Sequence, residues 1–292
     1  MSFSGAVEDA LYERGSGVVT EPDFYRLTQE LFASGRWRGE PISRLPKAWD
    51  GPRASALLSR FIREGMLTRD RDFGRGVYRL LDREGGETAE QVATLVDPFC
   101  YVSHASAMRL HDLRRGPDVP LHLSTLTRKA WGERQTGNAA LGERDAGPAY
   151  PRIVFGDRLR RRTIAVHEVS RPVTVVEIDQ VRVSTVGATF ATMLVEPHFC
   201  GGMASVMTVW RRHARDHLNA IVEAVDEIES KIAKVRAGYI LTEVVGIEAS
   251  EISAWSAFAQ RGGSRKLDPD GPYTPVFSER WMISLNISVA NS

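Results

Sequence analysis

The stretch from Asp50 to Gly65 constrains this chain more than any other, because it carries its own start, face and stop. Asp50 is placed to accept from the open amides of a helix N-terminus, Pro52 suits a first turn, and Gly65 can adopt the left-handed conformation that ends a helix. Between them Ala54, Leu57, Leu58, Phe61 and Ile62 recur at steps of three and four, which gathers them on one helical face. The opposite face carries Pro52, Arg53, Ala56, Ser59, Arg60 and Arg63. Small, hydroxyl and guanidinium side chains backed by a buried stripe allow close approach to a DNA groove, with donors for phosphates and base edges.

The flanks of this helix add to that expectation. After Gly65, two short β-prone runs, Met66–Arg69 and Val77–Leu81, enclose a polar tip with glycines at 74 and 76, which predicts a hairpin. A hairpin directly after a recognition-type helix is a wing, and Arg69, Arg71 and Arg75 would reach backbone or minor groove from it. Upstream, helices are predicted over Gly5–Arg14 and from Pro22 to Ser34, the latter with Glu21 and Asp23 near its positive end and Gly35 as its stop. The order predicts a winged helix-turn-helix over residues 1–84. Its candidate DNA contacts are Lys47, Arg53, Ser59, Arg60, Arg63, Arg69, Arg71 and Arg75. The insertion from Arg36 to Trp49 departs from a tight helix-turn-helix.

Charge is distributed to match. The chain of 292 residues has a formal net charge of +1, which excludes a uniformly basic coat. Between Arg36 and Arg83, however, 12 basic residues face 6 acidic ones, whereas Met1–Gly35 holds 2 against 6. That asymmetry suits one face meeting phosphate. The plain alternative is that these arginines only solvate an amphipathic helix and a hairpin.

The length favours two domains. A polar, Gly-containing break at Asp82–Glu90 marks the expected junction, with a second domain over residues 91–292. There, strands are predicted at Tyr101–Val102, Leu121–Ser124, Ile153–Phe155, Thr163–Val169, Val173–Ile178, Val181–Val186 and Trp281–Ile287, with a turn at Glu177–Gln180. Gly132–Pro151 is loop-like, and Met203–Gly262 is almost wholly helical. The expected fold class is α+β. Ile221, Val225, Ile228, Ile232 and Val235 have heptad-like spacing over about two heptads, which suits a helix in its own core better than a dimer seam. No run of about 18 apolar residues and no signal-peptide pattern occurs, so the expectation is a cytoplasmic protein without a membrane partner. Cys100 and Cys200 sit in apolar surroundings and are expected to be buried thiols.

Catalytic chemistry finds little support. Arg261, Gly262, Gly263, Ser264, Arg265 and Lys266 combine glycines with cations, which suits an anion or a partner's acidic surface, although a helix stop and solvated turn explains them as well. Asp268 and Asp270 flank Pro269 in a turn, so they do not form the rigid carboxylate pair that holds magnesium. His213 and His217 are four apart but lie among Arg211, Arg212 and Arg215, which oppose a cation. The run Arg158, Arg160, Arg161, Arg162 suits a charged surface strand or loop. Ser103 is expected to be an ordinary N-cap, and His104 has no nucleophile elbow beside it. No phosphate-binding loop or dinucleotide fingerprint occurs, so neither enzymatic activity nor a cofactor or metal is expected.

Three further stretches carry a resemblance: Tyr101-Val102-Ser103-His104-Ala105-Ser106-Ala107, Val183-Ser184-Thr185-Val186, and Val235-Arg236-Ala237-Gly238-Tyr239-Ile240-Leu241. Preceded by a hairpin ending in Gly76-Val77-Tyr78, they resemble, in order and along nearly the whole chain, the AbiEi-type antitoxins of type IV toxin-antitoxin systems. The resemblance implies an autorepressor that binds repeated double-stranded DNA sites in its own promoter. It also implies a nucleotidyltransferase-like toxin as functional partner, counteracted through the C-terminal domain without a stable complex. Two alternatives stay open: a C-terminal domain that binds and neutralises a partner directly, and a winged-helix regulator unrelated to a toxin.

Overall fold

A computed structural model describes residues 1–81, 86–116, 120–140, 147–154, 156–260 and 265–287. They form a mixed α and β protein with 11 α-helices and several sheets among the described residues. The chain divides into two compact units that interleave in sequence: Met1–Cys100 with Thr125–Pro172, and Tyr101–Ser124 with Val173–Ser292. None of the helices among the described residues is long and apolar enough to cross a membrane. Cys100 and Cys200 are buried and form no disulfide.

The first unit opens with α1 (Phe3–Glu13), β1 (Val18–Thr20) and α2 (Glu21–Ser34). A short hairpin follows, β2 (Arg36–Trp37) and β3 (Glu40–Pro41), then α3 (Gly51–Arg63), β4 (Leu67–Arg69), β5 (Val77–Leu80) and α4 (Ala89–Val96). Each predicted helix signal acts where expected. The Asp50 carboxylate accepts from the Arg53 amide at 3.0 Å. Gly35 takes φ +61° and donates its N–H to the Leu31 carbonyl. Gly65 takes φ +81° just past α3. Val18–Thr20 forms a third strand that the sequence reading missed, giving an antiparallel sheet in the order β1-β5-β4. Phe3, Val7 and Leu11 of α1, Phe24 and Leu31 of α2, and Leu57, Leu58 and Phe61 of α3 close one core over that sheet.

The insertion from Arg36 to Trp49 is anchored to this core. Trp49 packs edge-on to Phe3 at 4.6 Å and stacks on Phe32 at 6.4 Å, while its indole N–H donates to Thr28 Oγ1 at 3.1 Å. The second segment of the unit holds α6 (Arg128–Ala140) and the hairpin β8 (Arg158–Leu159) with β9 (Arg162–Val169). Residues 132–140 are therefore helical rather than loop. Ile153–Val154 is not a strand, because the Ile153 N–H donates to the buried Asp97 carboxylate at 3.0 Å instead of to a ladder; Phe155 lies outside the described residues. Asp97 also accepts from Thr125 Oγ1 at 2.7 Å and Trp131 Nε1 at 3.1 Å. The expected junction at residues 82–90 thus falls within the bounds of this unit, with 82–85 outside the described residues.

The second unit contains β6 (Tyr101–Val102), α5 (His104–Leu110), β7 (Leu121–Leu126, whose last two residues the other unit claims), β10 (Val175–Ile178) and β11 (Val181–Ser184). β10 and β11 pair antiparallel through a turn in which Asp179 and Gln180 both take positive φ, as a two-residue hairpin requires. β11 runs parallel to β6, and β6 antiparallel to β7. Its helices are α7 (Val186–Val195), α8 (Met203–His213), α9 (Leu218–Glu227), α10 (Lys231–Tyr239) and α11 (Ser250–Ala254), followed by the short hairpin β12 (Phe277–Ser278) with β13 (Ile283–Ser284). The strand predicted over Trp281–Ile287 shrinks to those two residues. Ile221, Val225 and Val235 are wholly buried in this unit's own core, and the heptad-like run is split between α9 and α10.

Candidate nucleic-acid interface

The outer face of α3 is open. Arg53, Ala56, Ser59 and Arg63 are exposed, as is Lys47 in the segment that precedes the helix. The helix is held from behind: Phe61 meets Phe24 edge-on at 6.1 Å, and Tyr25 donates to the Gly51 carbonyl at 2.6 Å with Ser55 Oγ 2.8 Å away. The cations differ in freedom. The Arg53 guanidinium meets the Asp50 carboxylate, while Arg60 is half-buried, bonded to the Ser4 hydroxyl and 3.6 Å from Glu64. Arg60 therefore lies against α1 rather than standing off α3. Lys47, Arg63, Arg69, Arg71 and Arg75 are exposed and form no ion pair among the described residues.

The loop between β4 and β5 is braced by residues that sequence reasoning assigned to a plain charged surface. Asp70 is 2% exposed. Its carboxylate takes two hydrogen bonds from Arg160, at 3.0 and 2.5 Å, and lies 3.8 Å from Arg79. The Arg160 side chain also bonds Asp72, whose carboxylate accepts the Arg160 backbone N–H at 3.1 Å. Arg160 and Arg161 both take positive φ in the β8–β9 turn, a conformation that non-glycine residues adopt only when the surroundings hold them there. Arg162 of the same run meets Glu90. The pairs fix the base of the loop while Arg71 and Arg75 project from it. No sequence signal links Arg160 to aspartates 90 and 88 positions away.

A second buried carboxylate anchors α2. Asp23 accepts from Thr20 Oγ1 at 2.7 Å, Arg26 at 2.6 Å and the Tyr150 hydroxyl at 2.9 Å. Burial, then the charge and hydrogen bond of Asp23, push the Tyr150 phenol up to about 12.

In the second unit, Ser103 stands at the N-cap position of α5 but does not cap it. Its hydroxyl oxygen lies 2.8 Å from His104 Nδ1 and accepts from Ser124 Oγ at 2.8 Å, and His104 Nε2 lies 2.9 Å from Glu196 Oε2. Ser124, Ser103, His104 and Glu196 thus form one continuous run of polar contacts. The order matches a nucleophile, base and carboxylate. Ser103 and His104 are only 3% and 2% exposed, and their bonds tie β6, β7 and α5 together. His104 holds φ +51° within it.

Other expected sites resolve locally. Arg265 donates to the Phe258 carbonyl at 2.6 Å and Lys266 to the Gly271 carbonyl at 2.6 Å, while Arg261, Gly262, Gly263 and Ser264 lie outside the described residues. Asp268 accepts from the Asp270 N–H at 3.0 Å, an Asx-type turn. His213 ends α8 and His217 precedes α9, so the two do not share one helical face. Arg236, from the third resembling stretch, is 6% exposed and clamps the Leu194 and Lys266 carbonyls at 2.6 and 3.1 Å.

No family model and no curated protein matches the chain. A crystal structure of the RV2827C protein from Mycobacterium tuberculosis aligns with 96% of this chain and 90% of its own, at 15% identity and a TM-score of 0.47. Likeness of that degree carries no argument about fold or activity.

Proposed function

We propose that this chain is a double-stranded-DNA-binding repressor of its own promoter, in which residues of the first unit act as a winged helix-turn-helix. In this reading α3 enters the major groove with Arg53, Ser59 and Arg63 toward base edges and phosphates and Lys47 beside it, while Arg60 backs the helix against α1. The β4–β5 hairpin is the wing, carrying Arg69, Arg71 and Arg75 to backbone or minor groove. The observation that carries the reading is the open, cation-bearing face of α3 followed directly by a braced hairpin whose tip arginines are exposed and form no ion pair among the described residues. The element order from α1 to β5, with sheet order β1-β5-β4, suits it as well.

By the family resemblance, the C-terminal domain over residues 91–292 supplies antitoxin activity against a nucleotidyltransferase-like toxin. Exposed Tyr273, Val276 and Phe277, at 58, 62 and 52%, favour the alternative of direct partner binding. Retitrating the cognate promoter with Arg71→Ala/Arg75→Ala tests the DNA reading. Affinity is expected to fall alike on specific and random duplex, and the salt dependence to lose about one unit per phosphate contact. An unchanged salt slope would refute the wing assignment.

A further inference from the structure

Beside the β4–β5 loop, and wholly within the first unit, lies a cleft of about 430 Å³. Its floor is apolar and buried: Ile153, Leu159 and Ile164 are 4, 3 and 8% exposed. Phe73 and Pro151 add further apolar lining. Three arginines and one aspartate line it, and they are not equivalent. Asp72 is neutralised by Arg160, and Arg152 by Glu168, with Arg152 Nε also donating to the Leu126 carbonyl at 2.9 Å. Arg75 and Arg158 are exposed and have no counter-charge among the described residues.

An apolar chamber of this size with a few convergent polar groups is the usual form of a small-molecule site. Its unbalanced charge is positive, which asks for an anion. A duplex phosphate would satisfy the arginines but leave the floor uncovered, whereas a molecule with an anionic head and an apolar body satisfies both. We propose that this cleft binds a small amphipathic organic anion, an aromatic or branched aliphatic carboxylate or sulfonate, with its head on Arg75 and Arg158 and its body on Ile153, Leu159 and Ile164. The site stands without the DNA-binding reading. Only its consequence rests on that reading: a filled cleft occupies Arg75 and lowers duplex affinity.

The test uses the full chain without DNA, titrated with anilinonaphthalene sulfonate and with N-phenylnaphthylamine, which has the same rings and no anion. The sulfonate is expected to saturate a single site, the neutral dye to bind far more weakly, and Arg158→Glu or Arg75→Glu to weaken the sulfonate roughly tenfold or more, with Arg158→Lys recovering most of the loss. Both arginines are exposed, and an unchanged unfolding midpoint verifies that each variant folds. Equal affinity for the two dyes, no saturable binding, or an Arg158→Glu variant that binds the sulfonate as the parent does overturns the site. So does loss of duplex binding in Arg158→Glu without any dye binding in the parent, since the cation then serves DNA. A chain that binds the sulfonate but no duplex sustains the site and sinks the repressor reading.

Discussion

Asp70 and Tyr150 show opposite uses of a buried polar group in the first unit. Asp70 carries a charge out of water and is compensated by Arg160 and Arg79. Removing the charge would take the carboxylate from Arg79 and leave Arg160 with Asp72 alone, so Asp70→Asn is expected to cost about 2 kcal/mol in urea unfolding. A loss below a few tenths would show that the pair contributes nothing net. Tyr150 is kept neutral instead. Its folded pKa is raised from 10.0 to about 12, so the stabilisation is complete below pH 10 and fades as pH climbs toward 12. Burial also raises Tyr78 and Tyr239, so ultraviolet titration should reveal several late-ionising phenols, of which Tyr150→Phe abolishes the one near pH 12; a titration identical in the two proteins would contradict the shift. At this scale the sequence is legible where partners are close. Asp50, Pro52 and Gly65 act within a few residues of themselves, whereas Ser103 looks like a cap because its partner Ser124 and the Glu196 bound to its neighbour His104 are distant in the chain.

Helices with strong periodicity and caps were readable within two or three residues, since α1, α2 and α3 each bury a stripe at steps of three and four. Strands were harder. β1 is three residues long and gains its identity only by pairing with β5, so Val18-Val19-Thr20 offered a β-branched run but no pattern. Close packing between elements left no trace in periodicity at all. A Cβ on Gly187 of α7 would overlap the Ala220 carbonyl of α9, and one on Gly238 of α10 would overlap the Trp281 ring. Gly187→Ala should therefore destabilise the protein by about 3 kcal/mol, more than helix propensity could return, because backbone must move. Thermal unfolding of that variant at or above the parental midpoint would show that α7 and α9 can separate without penalty.

The chain as a whole passes from the first unit to the second at Cys100, returns at Thr125, and leaves again at Pro172. A domain boundary sought as one linker at Asp82–Glu90 cannot express this, because composition carries no information about connectivity. Asp97 makes the interleaving concrete: its carboxylate collects donors from Thr125, Trp131 and Ile153, all downstream of the excursion. A Met1–Cys100 fragment would leave that buried charge without them. It is expected to unfold with low cooperativity, while the intact chain unfolds sharply; equal urea midpoints would mean that the later segment is dispensable.

The brace that Arg160 makes at the base of the β4–β5 loop has a thermodynamic corollary. A slack arm surrenders conformational entropy when it meets a partner, and that loss is subtracted from whatever contacts it gains. Here Asp70 and Asp72 are already tethered in the isolated protein, so the ordering took place when the polypeptide folded. Encounters made by Arg71 and Arg75 then keep more of their contact energy, and their strength would track the integrity of a hairpin some ninety residues further along the chain.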